Sequence, residues 1–245
     1  PHTPMERMAL DGTLWVEEGR PYMIYCHEWV EIVDGSMVLV ELASDLSVAV
    51  GESTRLFHAS AAKWSTGSLH DDLQVTSHVT DGCFLYRSKT GKLLMIWSSF
   101  MNGEYAIGIA ESLTGKVSGP WRQQEQPLFT QNGGHGMIFH TFDGRLCITF
   151  HRPNSPGGEE RARIFELEDR GDTLELKQEL QHKLTEDTRV RELRDAAFVD
   201  NLMLKQSFFS NIVILTNYCL IFATNSSQAM QNLVHTYTGT TTTLT

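Results

Sequence analysis

The stretch "VTDGCFLYRSKTGKLLMIWSS", residues 79–99, decides the fold. Asp81 and Gly82 open it. An apolar run follows, then a turn at Lys89-Thr90-Gly91, then a second apolar run ending in Trp97-Ser98-Ser99. Two runs rich in aromatic and β-branched residues, joined by a glycine-bearing turn, are the pattern of a β-hairpin. The unusual feature is a carboxylate at the mouth of so apolar a hairpin.

The same pattern occurs twice more. "DGTLWVEEGRPYMIYCHEW" begins at Asp11, and "HGMIFHTFDGRLCITFHRP" begins at His135. The turn glycines are Gly19, Gly91 and Gly144. Further strand-like sequence follows each hairpin: "SMVLVEL" and "TRLFHA" after the first, "EYAIGIAES" and a "GPW" turn into "QPLFTQ" after the second, "RARIFELED" and "DTLELKQ" after the third. Four strands per unit, recurring at this length, predict an all-β chain of four-stranded antiparallel propeller blades. A β-sandwich would supply similar strands without repeating the opening motif. Blades are expected at about residues 11–60, 79–130 and 133–178, within a partial propeller covering 1–183. Three blades are fewer than a closed ring needs, so the expectation is either further blades upstream or an unusual solenoid.

In a propeller the first strand of each repeat lies along the central axis, which places Asp11, Asp81 and His135 at one end of the channel. Counting across each hairpin adds the ends of the second strands: His27 and Glu28, Ser98 and Ser99, and His151, with Trp29 and Trp97 beside them. Carboxylates, histidines and tryptophans gathered on one rim suit a carbohydrate. Aromatic faces stack on sugar rings, and paired carboxylates supply the acid and its partner for glycosidic cleavage. Taken singly, the same residues have plainer readings. An Asp-Gly opening a strand is commonly a turn, and a lone tryptophan in a strand is commonly core.

Bulk properties fit this picture. The chain has 245 residues, 41% hydrophobic and 20% charged, with a net charge of −10. No basic patch marks a nucleic-acid partner. Cys26, Cys83, Cys147 and Cys219 lie too far apart for a metal knuckle or a redox motif, and are read as buried free thiols. No charged-then-apolar leader is read from Pro1 onward, leaving cytoplasmic and secreted or periplasmic locations both open.

With these motifs in view, the sequence resembles glycoside hydrolase family 43, the five-bladed propeller arabinofuranosidases and xylosidases, over about residues 8–178. "LDGTLWVEEGRPYMIYCHEW" is similar to the family's third-blade segment, and "VTDGCFLYRSKTGKLLMIWSS" to its fourth. "GGHGMIFHTFDGRLCITFHRPN" is similar to its fifth, and "SGPW" at 118–121 also recurs. The resemblance implies a modulating Asp11, a general acid Asp81 and an axial His135 touching a bound ion through water. It makes His27, Glu28, Trp29, Trp97, Ser98, His135 and His151 the candidate sugar-binding residues. No cofactor is required beyond a candidate axial calcium or sodium ion. The partner is an oligo- or polysaccharide containing arabinose or xylose, cleaved with inversion. No membrane partner is expected, and exposed strand edges are a route to self-association.

The sequence departs from the family in three respects. The acid is usually Glu in a Glu-Gly-Pro setting, whereas this chain has Asp81-Gly82-Cys83. The blade carrying the general-base Asp has no counterpart. Residues 184–245, with a charged "TEDTRVRELRD" and an apolar "FFSNIVILTNYCLIFA", are a C-terminal extension unlike the family. These departures give the expectation of weak or absent turnover by this chain, and keep a non-catalytic carbohydrate-binding propeller as the alternative. A blade array serving protein contacts is the third reading.

Overall fold

The computed structural model describes residues 2–70 and 75–180. The expectations for residues 184–245, and for Cys219, lie outside the described residues. Three four-stranded antiparallel sheets carry the fold. The first runs in order through β1 (Ala9–Glu17), β2 (Arg20–His27), β3 (Ser36–Leu42) and β4 (Ala49–His58), with a one-turn helix α1 (Trp29–Ile32) after β2. A short hairpin, β5 (Ser68–His70) and β6 (Val75–Ser77), precedes the second sheet. That sheet comprises β7 (Asp81–Arg87), β8 (Leu93–Met101), β9 (Glu104–Ser112) and β10 (Trp121–Gln123). The third comprises β11 (Gly134–His140), β12 (Leu146–Arg152), β13 (Arg161–Asp169) and β14 (Leu174–Glu179). These are propeller blades, and their first strands β1, β7 and β11 adjoin one another in turn.

One strand differs from the sequence reading. The second blade's outer strand is Trp121–Gln123, which starts at the last residue of the predicted "GPW" turn. "QPLFTQ" meets β9 at an isolated bridge between Ile107 and Phe129, with the Leu128 amide also donating to the Ile107 carbonyl at 2.7 Å. Pro127 has no amide hydrogen to give a ladder, which keeps this stretch out of the sheet.

Strand alternation explains why the middle blade is so apolar. A strand's side chains point alternately to the two faces, and both faces of this blade are covered. From β8, Leu93, Met95 and Trp97 pack against Ile24, Cys26, Met37 and Phe57 of the first blade. Leu94 and Ile96 face the other way, onto Ile138, Ile148, Phe150 and Phe165 of the third. The first blade's far face holds Tyr25, Val38, Val40 and Leu42, with Met23 packed beside them. On β1, Leu14 is paired with Met23, and it and Val16 remain exposed. Cys26, Cys83 and Cys147 are buried and unpaired. Among the described residues no helix is long and apolar enough to cross a membrane.

Candidate active site

All three inner strands are irregular at the same level. In the first blade the pairing passes from Leu10↔Cys26 to Thr13↔Ile24. In the second it passes from Asp81↔Ser98 to Phe84↔Ile96, and in the third from Gly134↔His151 to Met137↔Thr149. Each inner strand therefore carries one extra residue, a β-bulge, which re-aims the side chains around it. The first bulge residues are Asp11, Gly82 and His135, with φ of 56°, 51° and 58°. Asp and His enter this left-handed region more readily than most residues do, and glycine enters it freely.

This geometry corrects the sequence alignment. Asp11 corresponds in space to Gly82 and His135, not to Asp81. Asp81 stands one residue earlier, where the other blades have Leu10 and Gly134. In a strand, one residue of offset turns a side chain to the opposite face. The two Asp-Gly pairs thus share letters without sharing a position.

The offset brings the groups into contact. The Gly82 amide donates to Asp11 Oδ2 at 3.0 Å, and His135 Nδ1 lies 3.7 Å from the same oxygen. The His135 amide donates to Ser98 Oγ at 2.9 Å. The Tyr105 hydroxyl, from β9, donates to Asp81 Oδ2 at 2.8 Å. The Tyr105 ring stacks on His151, centroids 5.6 Å apart and planes 20° apart, and His151 Nε2 lies 2.9 Å from Asn154 Oδ1. Two glycines make room. A Cβ on Gly82 would sit 2.7 Å from His135 Cα, and one on Gly134 would sit 2.3 Å from the Tyr105 ring.

Burial pushes the Asp81 carboxyl up to about 6. The Tyr105 hydrogen bond opposes that rise, repulsion from Asp11 adds to it, His135 opposes it and Glu28 adds a little more. Desolvation of the charged form is thus the main cause, with the like charge of Asp11 behind it. Glu28 is raised as well, first by burial, with a contribution from Asp11. The Tyr105 phenol is held well above its usual range by burial and by Asp81.

Asp11, Glu28, Asp81, His135 and His151 therefore gather around one spot. Glu28, one residue past β2 and still extended at φ −63° and ψ 132°, falls on the Cys26 side of the blade, facing the second blade. Four predicted residues do not present themselves to a ligand there. Trp97 is fully buried between the first two blades, against Phe57 and Trp64, with Nε1 donating to Gln123 Oε1 at 2.9 Å. Alternation in an apolar run sends it to the interblade core, not to the rim. His27 lies on the Tyr25 side of its strand and is paired with Glu31 at 2.9 Å. Ser98 is fully buried, and its hydroxyl is taken by the His135 amide. Ser99, similarly buried, meets Ser65 Oγ at 3.0 Å. Trp29 is half-buried on α1. The reading of the sequence missed Tyr105. It lies within "EYAIGIAES", an apolar strand with nothing to distinguish its tyrosine from core.

The family model of glycosyl hydrolases family 43 matches residues 1–170. No curated protein matches the chain. Among solved structures, an endo-arabinase from Bacteroides thetaiotaomicron VPI-5482 is 42% identical at a TM-score of 0.64, over 68% of this chain and 58% of that one. A thermostable family-43 glycoside hydrolase is 21% identical at a TM-score of 0.62, over 73% of this chain and 60% of that one. An endo-1,4-beta-xylanase from Bacteroides thetaiotaomicron VPI-5482 is 19% identical at a TM-score of 0.56, over 71% and 60%. The last two show the fold alone. The chain spans 58–60% of the length of these three structures. By the match over residues 1–170, and by the blades that carry it, the chain belongs to glycosyl hydrolases family 43.

Proposed function

We propose that these blades supply the acid half of an inverting glycosidase acting on arabinose-containing glycans, with Asp81 as general acid and Asp11 as its modulator. The observation that carries this is the Asp81 carboxyl, half-buried beside Asp11 and pushed up to about 6. A carboxylic acid poised there is still partly protonated near neutral pH and can give its proton to a leaving oxygen. The proton passes from Asp81 to the glycosidic oxygen, which keeps the electron pair of the breaking bond. An inverting partner must activate water about 6.5–9.5 Å away on the opposite face, and the resemblance assigns no residue of these blades to that role. The 42% identity with an endo-arabinase favours an arabinan over a xylan.

Glu28, Trp29, His135 and His151 are the sugar contacts in this reading. Among the described residues no three His, Cys, Asp or Glu side chains converge to bind a metal directly. A calcium or sodium ion on the axis would therefore meet His135 through its water shell, as a hard cation keeping oxygen ligands does.

The test is Asp81→Asn in the protein that joins these blades to a general base. Loss should be about 100-fold or more on arabino-oligosaccharides, the usual size of general-acid catalysis. It should be small on aryl glycosides whose leaving groups need no proton. Equal losses on both would remove Asp81 from the acid role. A second reading, a sugar-binding propeller without turnover, is favoured by Asp81 having a shorter reach than Glu. It predicts oligosaccharide binding that Asp81→Asn leaves intact, with no hydrolysis in either protein.

A further inference from the structure

We infer that Tyr105 is a positioning residue that decides which oxygen of Asp81 carries the acidic proton and steadies the carboxylate left after it departs. The inference rests on the reading of Asp81 as a proton donor. A neutral phenol has one O–H to give, and Tyr105 gives it to Asp81 Oδ2 at 2.8 Å. Burial keeps that phenol protonated well above its usual range. In a neutral carboxyl the carbonyl oxygen is the stronger acceptor, so the oxygen that takes this bond is favoured as the unprotonated one. The proton of neutral Asp81 is therefore directed to Oδ1. When it leaves, the bond at Oδ2 becomes charge-assisted and strengthens. Tyr105 thus acts most strongly in the state that proton transfer creates, as a preorganised donor should.

The structure holds this hydroxyl in place from several directions. Gly134 has no side chain to push the ring away. His151 stacks on one face and is itself anchored on Asn154. Phe100 packs at 5.2 Å, and the Gly133 amide donates to the Tyr105 carbonyl at 3.0 Å. The third blade therefore clamps a second-blade tyrosine onto the second-blade acid.

The other groups facing Asp81 are Asp11 from β1, Cys26 from β2, Glu28 after it, and His135 from β11, with His151 behind the tyrosine. All remain in Tyr105→Phe, so the hydroxyl can be isolated. The experiment is a carbon-13 carboxyl titration of Asp81 by NMR in the 245-residue chain, with Asp81→Asn identifying the resonance. In Tyr105→Phe the midpoint should rise by about one unit, a tenfold weaker acid, as loss of a hydrogen bond to a charged group implies. With 3-fluorotyrosine at position 105, a more acidic and hence stronger donor of nearly the same shape, the midpoint should fall. If Tyr105→Phe does not fold, the direction of the fluorotyrosine shift decides. An unmoved midpoint, or a rise with fluorotyrosine, overturns the inference. The titration needs no turnover, so its failure is distinct from failure of the leaving-group test, which bears on Asp81 as the acid.

Discussion

The first and second blades open with the same dipeptide, and the structure uses the two copies differently. At Asp11-Gly12 the aspartate occupies the bulge, in the left-handed region at φ 56°, and its carboxylate reaches sideways to the neighbouring strand's Gly82 amide. At Asp81-Gly82 the glycine occupies the bulge at φ 51°, and the aspartate keeps its ladder position opposite Ser98. One carboxylate therefore braces the adjacent blade, while the other is left half-buried and accepts a tyrosine hydroxyl. A site needing two carboxylates in two states can be made from one repeated motif by sliding it a single residue.

The largest consequence concerns the two glycines. Gly82→Ala places a methyl 2.7 Å from the backbone of His135, at a φ that L residues rarely adopt. Backbone cannot move aside as a side chain can, and the left-handed strain adds to the overlap. The cost should be about 3 kcal/mol or more. Gly12→Ala meets only the flexible end of Met23, at 3.0 Å, with no such φ, and should cost under about 1 kcal/mol. Urea unfolding of the two variants measures the difference. Equal costs would mean that the two openings are equivalent after all and that the one-residue offset is wrong.

Much of this fold was legible in the sequence because its signals are local. The turn glycines Gly19, Gly91 and Gly144 all have φ of +77° to +86°, so each hairpin bend was written in a residue type. The bulges were not, because Asp11 and His135 reach the left-handed region without being glycine. Matching Asp-Gly with Asp-Gly was the natural alignment and missed the slip. Trp97 was misplaced because "LLMIW" is apolar at every position. With both faces of the blade covered, alternation leaves no polar residue to show which way each side chain points. Tyr105 comes from a third strand and acts through a fold-dependent contact that no spacing along the chain encodes.

The next effect is on stability. Asp81 is held at about 6 in the folded chain, against an ordinary value of 3.8. The folded state therefore holds a proton that the unfolded state has already released across that window. Asp81's contribution to stability is fully present below pH 4, falls as pH rises through 6, and is flat above. About two units correspond to about 3 kcal/mol. Asp81→Asn, neutral at every pH, should gain on the native protein by that order between pH 4 and pH 7.5 in urea unfolding. A difference that does not change with pH would mean that the carboxyl is solvated in the folded state and unsuited to hold a proton.

The smallest effect is that of Asp11 on its neighbour. In Asp11→Asn the amide oxygen can still accept from the Gly82 N–H, so the brace between the blades survives while the negative charge goes. The Asp81 midpoint should then fall, because only the like-charge part of its elevation is removed. Burial contributes more to that elevation, and Tyr105 opposes it more strongly than Asp11 supports it. The fall should therefore be smaller than the rise produced by Tyr105→Phe. Glu28→Gln, acting on the same carboxyl more weakly than Asp11, should lower the midpoint less again. The same carboxyl titration ranks the three. If Asp11→Asn moves Asp81 further than Tyr105→Phe does, the two aspartates titrate as a coupled pair. Asp11 would then act on the acid chiefly by its charge, and the contrast between the bracing carboxylate and the proton-holding one would fail.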